Sequence, residues 1–263
     1  MAVTPRGRNV AAALGRTLMV LWFVLPVVPI MLWAFANRWS FPGVLPQQWG
    51  FDGLRSAADA GAGHAFATST ALALAVSAIA TPCGALAARA LVTGRVHLPV
   101  VVAAILFAPV ALPPFAVALG LDVLILRAHI PGRVAVVVLL AVAAIPYTTY
   151  VMRVAFGAYD RGYEEEARTL GASRTTVLWR VHMPLLAPAL SAAAFLAFLV
   201  GWSDYIVTLL IGGGRLVTIP ILVASFAAGT GNDSVVAALS LSAVLPPLVL
   251  LTVLARLGRR PSL

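Results

Sequence analysis

Residues 165–184, EEARTLGASRTTVLWRVHMP, form a polar, arginine-containing stretch between two long apolar segments. Gly171 near its middle permits a sharp turn that a side chain would obstruct, and Ser173 is placed to cap a second helical turn. Pro184 stands at the start of the next apolar segment and is expected to end the polar helix there. The stretch therefore predicts a helix, a turn and a helix along a membrane surface, within a loop of about 157–185.

The same loop carries acids at the start of its first helix. Asp160 is placed to cap a helix that runs through Thr169, and residues 164–166 are glutamates near its N-terminus, where the helix dipole favours anions. The small side chain of Ala167 would let the backbone sit deep in a groove of a partner protein, and Glu165 offers a carboxylate to an arginine in that groove. The alternative is a solvated charged loop that has no partner.

Composition places the chain in a membrane. Of its 263 residues, 61% are hydrophobic and only 10% are charged, whereas soluble domains are about 45–50% apolar. A helix needs about 20 apolar residues to cross the bilayer, so the chain is long enough for several crossings and leaves little for a soluble domain. We predict one transmembrane domain over residues 1–263. Cys83 is the only cysteine, which excludes a thiolate metal site, and we expect neither a metal nor a cofactor.

Hydrophobic runs predict an all-α integral membrane protein with six transmembrane helices. These lie at about 17–36, 65–90, 99–126, 134–156, 186–211 and 233–255. An even number of crossings places both termini on the same side. Prolines interrupt the third and fourth helices, which indicates either bent helices that line a pathway or the ordinary kinks of membrane helices. The prolines concerned are Pro109, Pro113, Pro114 and Pro146.

All 18 basic residues are arginines, and their distribution indicates orientation in a membrane rather than nucleic-acid binding. Those expected on the outer side are Arg38, Arg55, Arg127, Arg133 and Arg215. The larger group, expected on the cytoplasmic side, comprises Arg6, Arg8, Arg16, Arg89, Arg95, Arg153, Arg161, Arg168, Arg174, Arg180, Arg256, Arg259 and Arg260. By the positive-inside rule, both termini and the 157–185 loop lie in the cytoplasm.

The first apolar run allows a second interpretation. Arginines precede it and it ends in the small-residue sequence Ala34–Ala36, as a secretory signal peptide would. However, the run is longer than a usual signal core and contains Pro26 and Pro29. Trp33 and Trp39 near its outer end are typical of an interfacial aromatic belt. We therefore predict a retained transmembrane helix, with cleavage as the alternative.

Of the two acids inside predicted spans, Asp204 is the candidate functional residue. Asp204 falls within the predicted fifth span, next to Trp202, Ser203 and Tyr205. A carboxylate in hydrocarbon is costly and faces water or a polar partner, so these residues are candidates for a translocation pathway. The alternative role of Asp204 is a structural hydrogen bond or ion pair that holds the helices together.

The polar loop resembles the EAA loop of permease subunits in binding-protein-dependent ABC importers. The family pattern is E-A-A-x-x-x-G followed by nine residues and I-x-L-P, and the spacing is kept here throughout. The departures are Glu166 for the first alanine, Val181 for isoleucine and Met183 for leucine. The residues that the resemblance assigns to coupling with an ATPase are Glu165, Glu166, Ala167, Gly171, Val181 and Pro184, to which the predicted cap adds Ser173.

The resemblance implies a six-helix permease of the type I ABC importer fold in a bacterial inner membrane. Two such subunits, identical or homologous, are expected to pair. Each docks one copy of a separate ATP-binding subunit through the loop, and an extracytoplasmic binding protein delivers the solute. The chain has no nucleotide-binding P-loop, so we predict that it is not an enzyme. The segment around Asp204 is similar to importers of polyamines, thiamine and ferric iron, which favours a small polar solute that is cationic or a metal complex.

Two other classes of membrane protein stay open on the sequence alone. An ion-coupled secondary transporter would use Asp204 to bind its coupling ion, although no internal repeat between the two halves is evident. An intramembrane enzyme would need a nucleophile and a base inside the bilayer, where Asp204 and Asp122 are the only acids predicted. No G-x-S-x-G motif occurs, which argues against the enzyme.

Overall fold

Helices account for most of the chain in the computed structural model, which describes residues 5–40, 42–94, 96–160 and 162–257. The helices are, in order, α1 Pro5–Val24, α2 Val27–Ala34, α3 Asp52–Asp59, α4 Ala62–Val92, α5 Pro99–Ala111, α6 Pro114–Arg127, α7 Gly132–Gly157, α8 Gly162–Thr169, α9 Arg174–Val177, α10 Met183–Ser203, α11 Ile206–Ile211, α12 Ile219–Ala227 and α13 Asp233–Leu257. Arg95, Arg161, Arg259 and Arg260, which were predicted on the cytoplasmic side, lie outside the described residues.

Four helical segments are long and apolar enough to cross a membrane: Ala62–Val92, Gly132–Gly157, Arg174–Ser203 and Asp233–Arg256. Two further candidates are bent pairs, formed by α1 with α2 and by α5 with α6. The described residues thus provide four candidate spans, or up to six if each bent pair is one span.

The third predicted span is two helices rather than one bent rod. The axes of α5 and α6 differ by 100°, because Leu112 and Pro113 between them are extended, with ψ values of 130° and 128°. A proline disfavours the helical conformation in the residue before it, and Pro113 and Pro114 stand in sequence here. The sequence predicts the break but not its size.

The boundaries predicted for the fifth span, 186–211, are wrong. The helix begins earlier, since Arg174–Ser203 is one continuous helical segment. It ends at Ser203 because Asp204 is extended, with ψ of 133°. A separate short helix, α11, then ends at Ile211, directly before the glycines at 212–214.

The chain divides into two compact units, one formed by Met1–Gly63 with Leu222–Leu245 and the other by His64–Ile221 with Pro246–Leu263. In the first unit, a short antiparallel pair that the sequence does not predict joins β1 Ala36–Arg38 to β2 Gln48–Trp49. The rings of Trp33 and Trp39 lie 4.7 Å apart in that unit. A single domain over residues 1–263 stays a prediction.

In the second unit, hydrogen bonds join the long helices. The Thr148 hydroxyl on α7 donates to the Ala80 carbonyl on α4 at 2.9 Å. The Ser77 hydroxyl on α4 donates to the Ala194 carbonyl on α10, also at 2.9 Å. Small buried residues allow these helices to approach closely, as is usual where lipid supplies no hydrophobic drive between helices. The small buried residues are Ala73, Ala80, Gly84, Ala88, Ala135, Ala141, Ala144, Ala193, Ala197 and Gly201.

Candidate functional site

The polar loop folds as the sequence predicts, with α8 and α9 separated by a turn at Gly171. The Gly171 φ of +83° lies in the left-handed region, which glycine adopts freely. The Ser173 hydroxyl oxygen accepts the Thr176 N–H at 3.2 Å and so caps α9. Directly before α8, Asp160 Oδ1 accepts the Gly162 N–H at 2.8 Å, which is a local turn and not a bond to the second or third N–H of the helix. The predicted turn at Gly171 and the predicted Ser173 cap are therefore confirmed, and the Asp160 cap stays a prediction.

Backbone hydrogen bonds make this turn a defined elbow. The Gly171 N–H donates to the Arg168 carbonyl at 2.9 Å, and the Ala172 N–H donates to the Ala167 carbonyl at 3.0 Å. This pair of bonds is the Schellman arrangement, in which the residue after the helix end adopts positive φ. Gly171 occupies that position. The angle between α8 and α9 is consequently set by the backbone and not by side-chain packing alone.

A cluster of side chains that we call the loop clamp ties α8 to the beginning of α10. The His182 imidazole Nε2 lies 2.5 Å from Glu164 Oε1, and the two side chains are only 11% and 21% exposed. The Arg168 guanidinium Nη2 lies 3.8 Å from the other Glu164 oxygen. The loop clamp consists of Glu164, Arg168 and His182 together with Tyr159. Water screens a pair this enclosed much less than a surface pair.

Tyr159 covers the histidine of the loop clamp. Its ring stacks on the His182 imidazole, with centroids 4.9 Å apart and planes inclined by 16°. Burial raises the pKa of Tyr159, and the carboxylates of Glu164 and Asp160 raise it further, so the phenol stays neutral at physiological pH. Its buried hydroxyl has no hydrogen-bond partner among the residues that the structure describes. Tyr159 also lines a polar cavity of about 220 Å³ at the end of α4, together with Arg89.

A π-helical turn, Leu178–His182, joins α9 to α10 and carries the clamp histidine. In this turn the Met183 N–H bonds to the Leu178 carbonyl five residues back. Pro184, which was predicted to end the loop helix, lies instead in the first turn of α10 within a continuous helix. That prediction was wrong. Proline lacks the N–H of a regular helical bond, and the wider turn directly before it accommodates this loss. Such turns occur often at functional sites.

The side of α8 away from the membrane helices is exposed and partly apolar. Tyr163 is 54% exposed and Leu170 is 88% exposed. They share a helical face with Glu166, because residues three and four positions apart are neighbours on a helix. Trp179, in the π-helical turn, is 65% exposed. Large apolar side chains exposed together on a polar loop indicate a surface for another protein. Leu170 is not predicted from the sequence, where its only signal is its position beside the glycine turn.

The remaining predicted coupling residues differ in their surroundings. Glu165 is exposed, as a residue that pairs with a partner protein should be, and so is Pro184. Ala167 and Val181 are half-buried on the inner side of the loop. The structure thus brings the predicted residues into one elbow, with some directed outward and others packed inward.

Asp204 caps the first turn of α11. Its Oδ2 accepts hydrogen bonds from the Thr208 N–H at 2.8 Å and from the Thr208 hydroxyl at 2.7 Å. Its Oδ1 lies 3.4 Å from the Val207 N–H. Aspartate is a favoured residue for this role, since it satisfies N–H groups that have no partner within the helix. The hydrogen bonds of Asp204 are therefore local to its own segment, and none of them bridges two membrane helices within the part of the chain that the structure describes.

Asp204 also lines a cavity of about 680 Å³, together with Ser203 and Tyr205. The other walls come from α5, α6 and α7 and are mainly apolar, among them Pro109 and Tyr147. This volume lies within the range of about 300–1,000 Å³ that is usual for small-molecule sites. The break between α10 and α11 places these polar residues at the cavity wall.

Trp202 lies away from this cavity. It is 4% exposed and packs in an aromatic cluster in which its ring stacks on Phe198, with centroids 5.7 Å apart, and meets Phe66 edge-on at 5.3 Å. Aromatic pairs of this geometry stabilise a core. The structure therefore brings Ser203, Asp204 and Tyr205 together and separates Trp202 from them.

The family model described as "Binding-protein-dependent transport system inner membrane component" matches residues 80–262, well over half of the chain. The chain belongs to this family. It is therefore a permease subunit of an ABC importer and a multi-pass protein of the inner membrane. It is not an enzyme, since ATP is hydrolysed by a separate ATPase subunit. Membership of this family argues against both alternatives, the ion-coupled secondary transporter and the intramembrane enzyme.

The permease is similar to one curated relative along nearly its whole length and to two others over part of it. It is 25% identical over 260 residues to "Putative 2-aminoethylphosphonate transport system permease protein PhnV" of Salmonella typhimurium, covering 98% of this chain and 97% of the relative. It is 29% identical over 157 residues to "Inner membrane ABC transporter permease protein YnjC" of Escherichia coli, covering 59% of this chain and 30% of that protein. It is 36% identical over 81 residues to "Molybdenum transport system permease protein ModB" of Mycobacterium tuberculosis, covering 31% of each chain.

A solved structure supports the fold of the permease. The match is to a bacterial ABC transporter involved in the import of the acidic polysaccharide alginate, with a TM-score of 0.68 and 17% sequence identity, over 97% of this chain and 98% of that one. Two chains whose structures superpose with this TM-score over nearly their whole lengths share an architecture. The all-helical type I permease fold predicted from the sequence is confirmed.

The hydrogen bonds of Asp204 predict different effects for two substitutions in the permease. Asp204→Ala removes every acceptor of the α11 cap and is expected to lower the free energy of unfolding by about 1 kcal/mol. Asp204→Asn keeps one oxygen and should lose about half of that or less. Thermal unfolding of the purified permease in a neutral detergent measures both. Equal losses in the two variants would mean that the charge, and not the cap, stabilises this segment.

Proposed function

We propose that the permease forms the solute pathway of its importer and receives the motion of the ATPase through the 157–185 loop. The observation that carries this proposal is the geometry of the elbow. Its outer face is exposed and partly apolar, and its inner face is tied to α10 through the loop clamp. A push on α8 would therefore reach a helix that spans the membrane. The residues assigned to coupling are Glu165, Glu166, Ala167, Gly171, Ser173, Val181 and Pro184.

The proposed topology has six crossings, with both termini and the loop in the cytoplasm and residues 1–263 as one domain. The distribution of arginines supports this orientation. The proposed assembly pairs the permease with a second permease, identical or homologous, and with two copies of the ATP-binding subunit. An extracytoplasmic binding protein delivers the solute. Family membership supports the ATPase and the binding protein as partners.

The proposed pathway residues are Ser203, Asp204 and Tyr205 around the 680 Å³ cavity, while Trp202 is assigned to packing. For the solute we propose a small polar molecule of the phosphonate class, because the relative named for 2-aminoethylphosphonate transport matches along nearly the whole chain. None of the relatives named above is described as a transporter of polyamines, thiamine or ferric iron, so they do not support the solute expected from the sequence.

Charge reversal at Glu165 tests the proposed coupling. Glu165→Lys is expected to lower the amount of ATPase that co-purifies with the permease about tenfold or more. The lysine would replace a carboxylate that is expected to pair with an arginine, and like charges at an interface cost several kcal/mol. Asp59→Lys is the matched control, since Asp59 is an exposed acid at the end of α3 and lies outside the loop. Full co-purification and uptake with Glu165→Lys would overturn the proposal.

A further inference from the structure

A cavity of about 310 Å³ lies at the opposite end of α4 and α7 from the loop clamp. We call it the distal pocket. Its polar lining consists of His64 and Thr68 on α4, Arg133 on α7 and Arg215 after α11. Arg89, which lies beside the loop clamp, is near the other end of α4 from His64. At a helix rise of about 1.5 Å per residue, the two residues are about 38 Å apart along the helix. Under the proposed topology the distal pocket opens on the outer side.

The charges that line the distal pocket are all of one sign. Arg133 and Arg215 are permanently cationic, and no acid lines the pocket among the described residues. Neither arginine belongs to an ion pair within the described structure. His64 adds a group that is cationic when protonated. The positive ends of two helix dipoles add to this positive charge, because His64 and Arg133 lie in the first turns of α4 and α7.

Backbone contacts fix the position of Arg133 relative to the end of α11. Gly132, directly before Arg133, lies so close to α11 that a Cβ atom there would be 2.7 Å from the Ile211 carbonyl oxygen. Only glycine permits this approach without displacement of the backbone. The first turn of α7 is therefore held against the segment that leads to the second arginine.

The turn that carries Arg215 is anchored on both sides. The Arg215 N–H donates to the Gly212 carbonyl at 3.1 Å. Leu216 is only 9% exposed and belongs to the buried core. A little further on, the Ile219 N–H donates to the buried Ser69 hydroxyl on α4 at 2.8 Å. The guanidinium groups are exposed at the rim, but the backbone that presents them is fixed.

We propose that the distal pocket binds the oxyanion group of the transported solute before that solute enters the membrane pathway. This inference rests on the proposed function, and it assigns the solute to the class that carries a phosphonate or phosphate group. Two guanidinium groups match the paired oxygens of such a group. The apolar walls, formed by Ala71, Leu72, Ala75, Val137 and Leu216, strengthen the attraction by lowering the local dielectric constant.

The size of the distal pocket suits a small anion with a short attached chain. Its volume of about 310 Å³ equals that of about ten waters in the liquid, at about 30 Å³ each. The pocket therefore has space for a phosphonate group and a short chain attached to it. A phospholipid headgroup carries the same oxyanion chemistry, so the test must separate a free solute from a lipid.

The test measures binding of radiolabelled inorganic phosphate, with methylphosphonate as competitor, to the purified complex of permease and ATPase in a neutral detergent. Arg133→Gln and Arg215→Gln are each expected to weaken phosphate binding about fivefold, and the double variant about 25-fold. Arg127→Gln is the matched control, because Arg127 is an exposed arginine at the end of α6 that does not line the distal pocket. It should bind phosphate like the unmodified complex.

A second arm repeats the measurement in nanodiscs of phosphatidylcholine alone and of phosphatidylcholine with phosphatidylglycerol. Arginine-dependent phosphate binding in both supports a soluble anion. Absence of phosphate binding, together with arginine-dependent enrichment of phosphatidylglycerol, overturns the proposal in favour of a lipid. Docking of the solute-binding protein to the same nanodiscs is measured alongside, and arginine variants that weaken only this docking overturn the proposal in favour of an acidic protein surface. A loss of phosphate binding that Arg127→Gln shares with the pocket variants also overturns the proposal.

The two proposals fail independently. Phosphate binding is measured without ATP and on a complex in which the ATPase is already present. A failure at the distal pocket therefore leaves ATPase co-purification and coupling through the loop intact. Conversely, the Glu165→Lys permease, purified without the ATPase, should bind phosphate as the unmodified permease alone does.

Discussion

Gly171→Val should leave the permease in the membrane but lower ATP-driven solute uptake into proteoliposomes about tenfold or more. Position 171 has a φ of +83° and closes the Schellman turn between α8 and α9. Left-handed backbone costs an ordinary residue about 1–2 kcal/mol, and a β-branched one more. The variant relieves this strain by opening the elbow. The outer face of α8 and the exposed part of the loop near Trp179 then no longer fit one partner surface.

Gly171→Asn is the matched control for this experiment. Asparagine tolerates positive φ far better than valine, so uptake by this variant should stay within about threefold of the unmodified permease. Steric crowding does not separate the two variants, because a Cβ at position 171 would meet no atom within 4 Å. Uptake that is normal with valine would show that the angle of the elbow is not needed for coupling.

Removal of the loop clamp should separate ATP hydrolysis from transport. In His182→Ala the Glu164 carboxylate loses its closest partner while it remains largely enclosed. A hydrogen bond to a charged group contributes about 1.5–3 kcal/mol, so α8 is held less firmly to α10. The outer face of α8 is unchanged, and the ATPase should still bind. We expect the number of solute molecules carried per ATP hydrolysed to fall about fivefold or more.

Two further variants identify which part of the loop clamp acts. His182→Gln keeps an N–H donor for Glu164 and should restore a large part of the coupling. Tyr159→Phe removes a hydroxyl that has no hydrogen-bond partner among the described residues and keeps the stacked ring, so it should couple normally. His182→Ala with an unchanged ratio of transport to hydrolysis would contradict a role of the loop clamp in transmission.

The local geometry of the loop could be predicted from sequence because its determinants are close together along the chain. Ser173 caps a helix that begins at the next residue, and Gly171 closes a turn with bonds that span only a few positions. Capping and turn chemistry depend on residue type at short spacing. The loop clamp could not be predicted in this way. Its histidine is directed to Glu164 by a π-helical turn, for which the sequence carries no periodic signal.

The membrane part shows the same contrast. Hydrophobic runs predict where apolar helices lie, because about 20 apolar residues are needed for each crossing. They do not predict that α5 and α6 differ by 100° or that helix α10 ends at Ser203. Both breaks depend on extended residues inside an apolar run. The second break places Asp204 at the wall of a cavity that α5, α6 and α7 also line, so this lining emerged only from the structure.

The distal pocket could not be predicted from the number of arginines on each side of the membrane. Arg133 and Arg215 were predicted on the outer side simply as members of the smaller group of arginines. Folding brings them to one cavity with His64, although these residues are far apart in the sequence. The resemblance of the segment around Asp204 to importers of polyamines, thiamine and ferric iron had favoured a cationic solute or a metal complex, and the Asp204 oxygens themselves accept hydrogen bonds from Thr208. The electrostatics of the distal pocket favour an anion instead.

Site-specific photo-crosslinking from Leu170 tests the central claim most directly. Leu170 is 88% exposed at the elbow, so a photoreactive residue there should be tolerated and should reach any protein that binds the loop. In the assembled importer, illumination is expected to join the permease to its ATPase subunit, in a yield that changes when ATP binds. Crosslinks only to lipid, or none to the ATPase in a complex that transports solute, would contradict coupling through this loop.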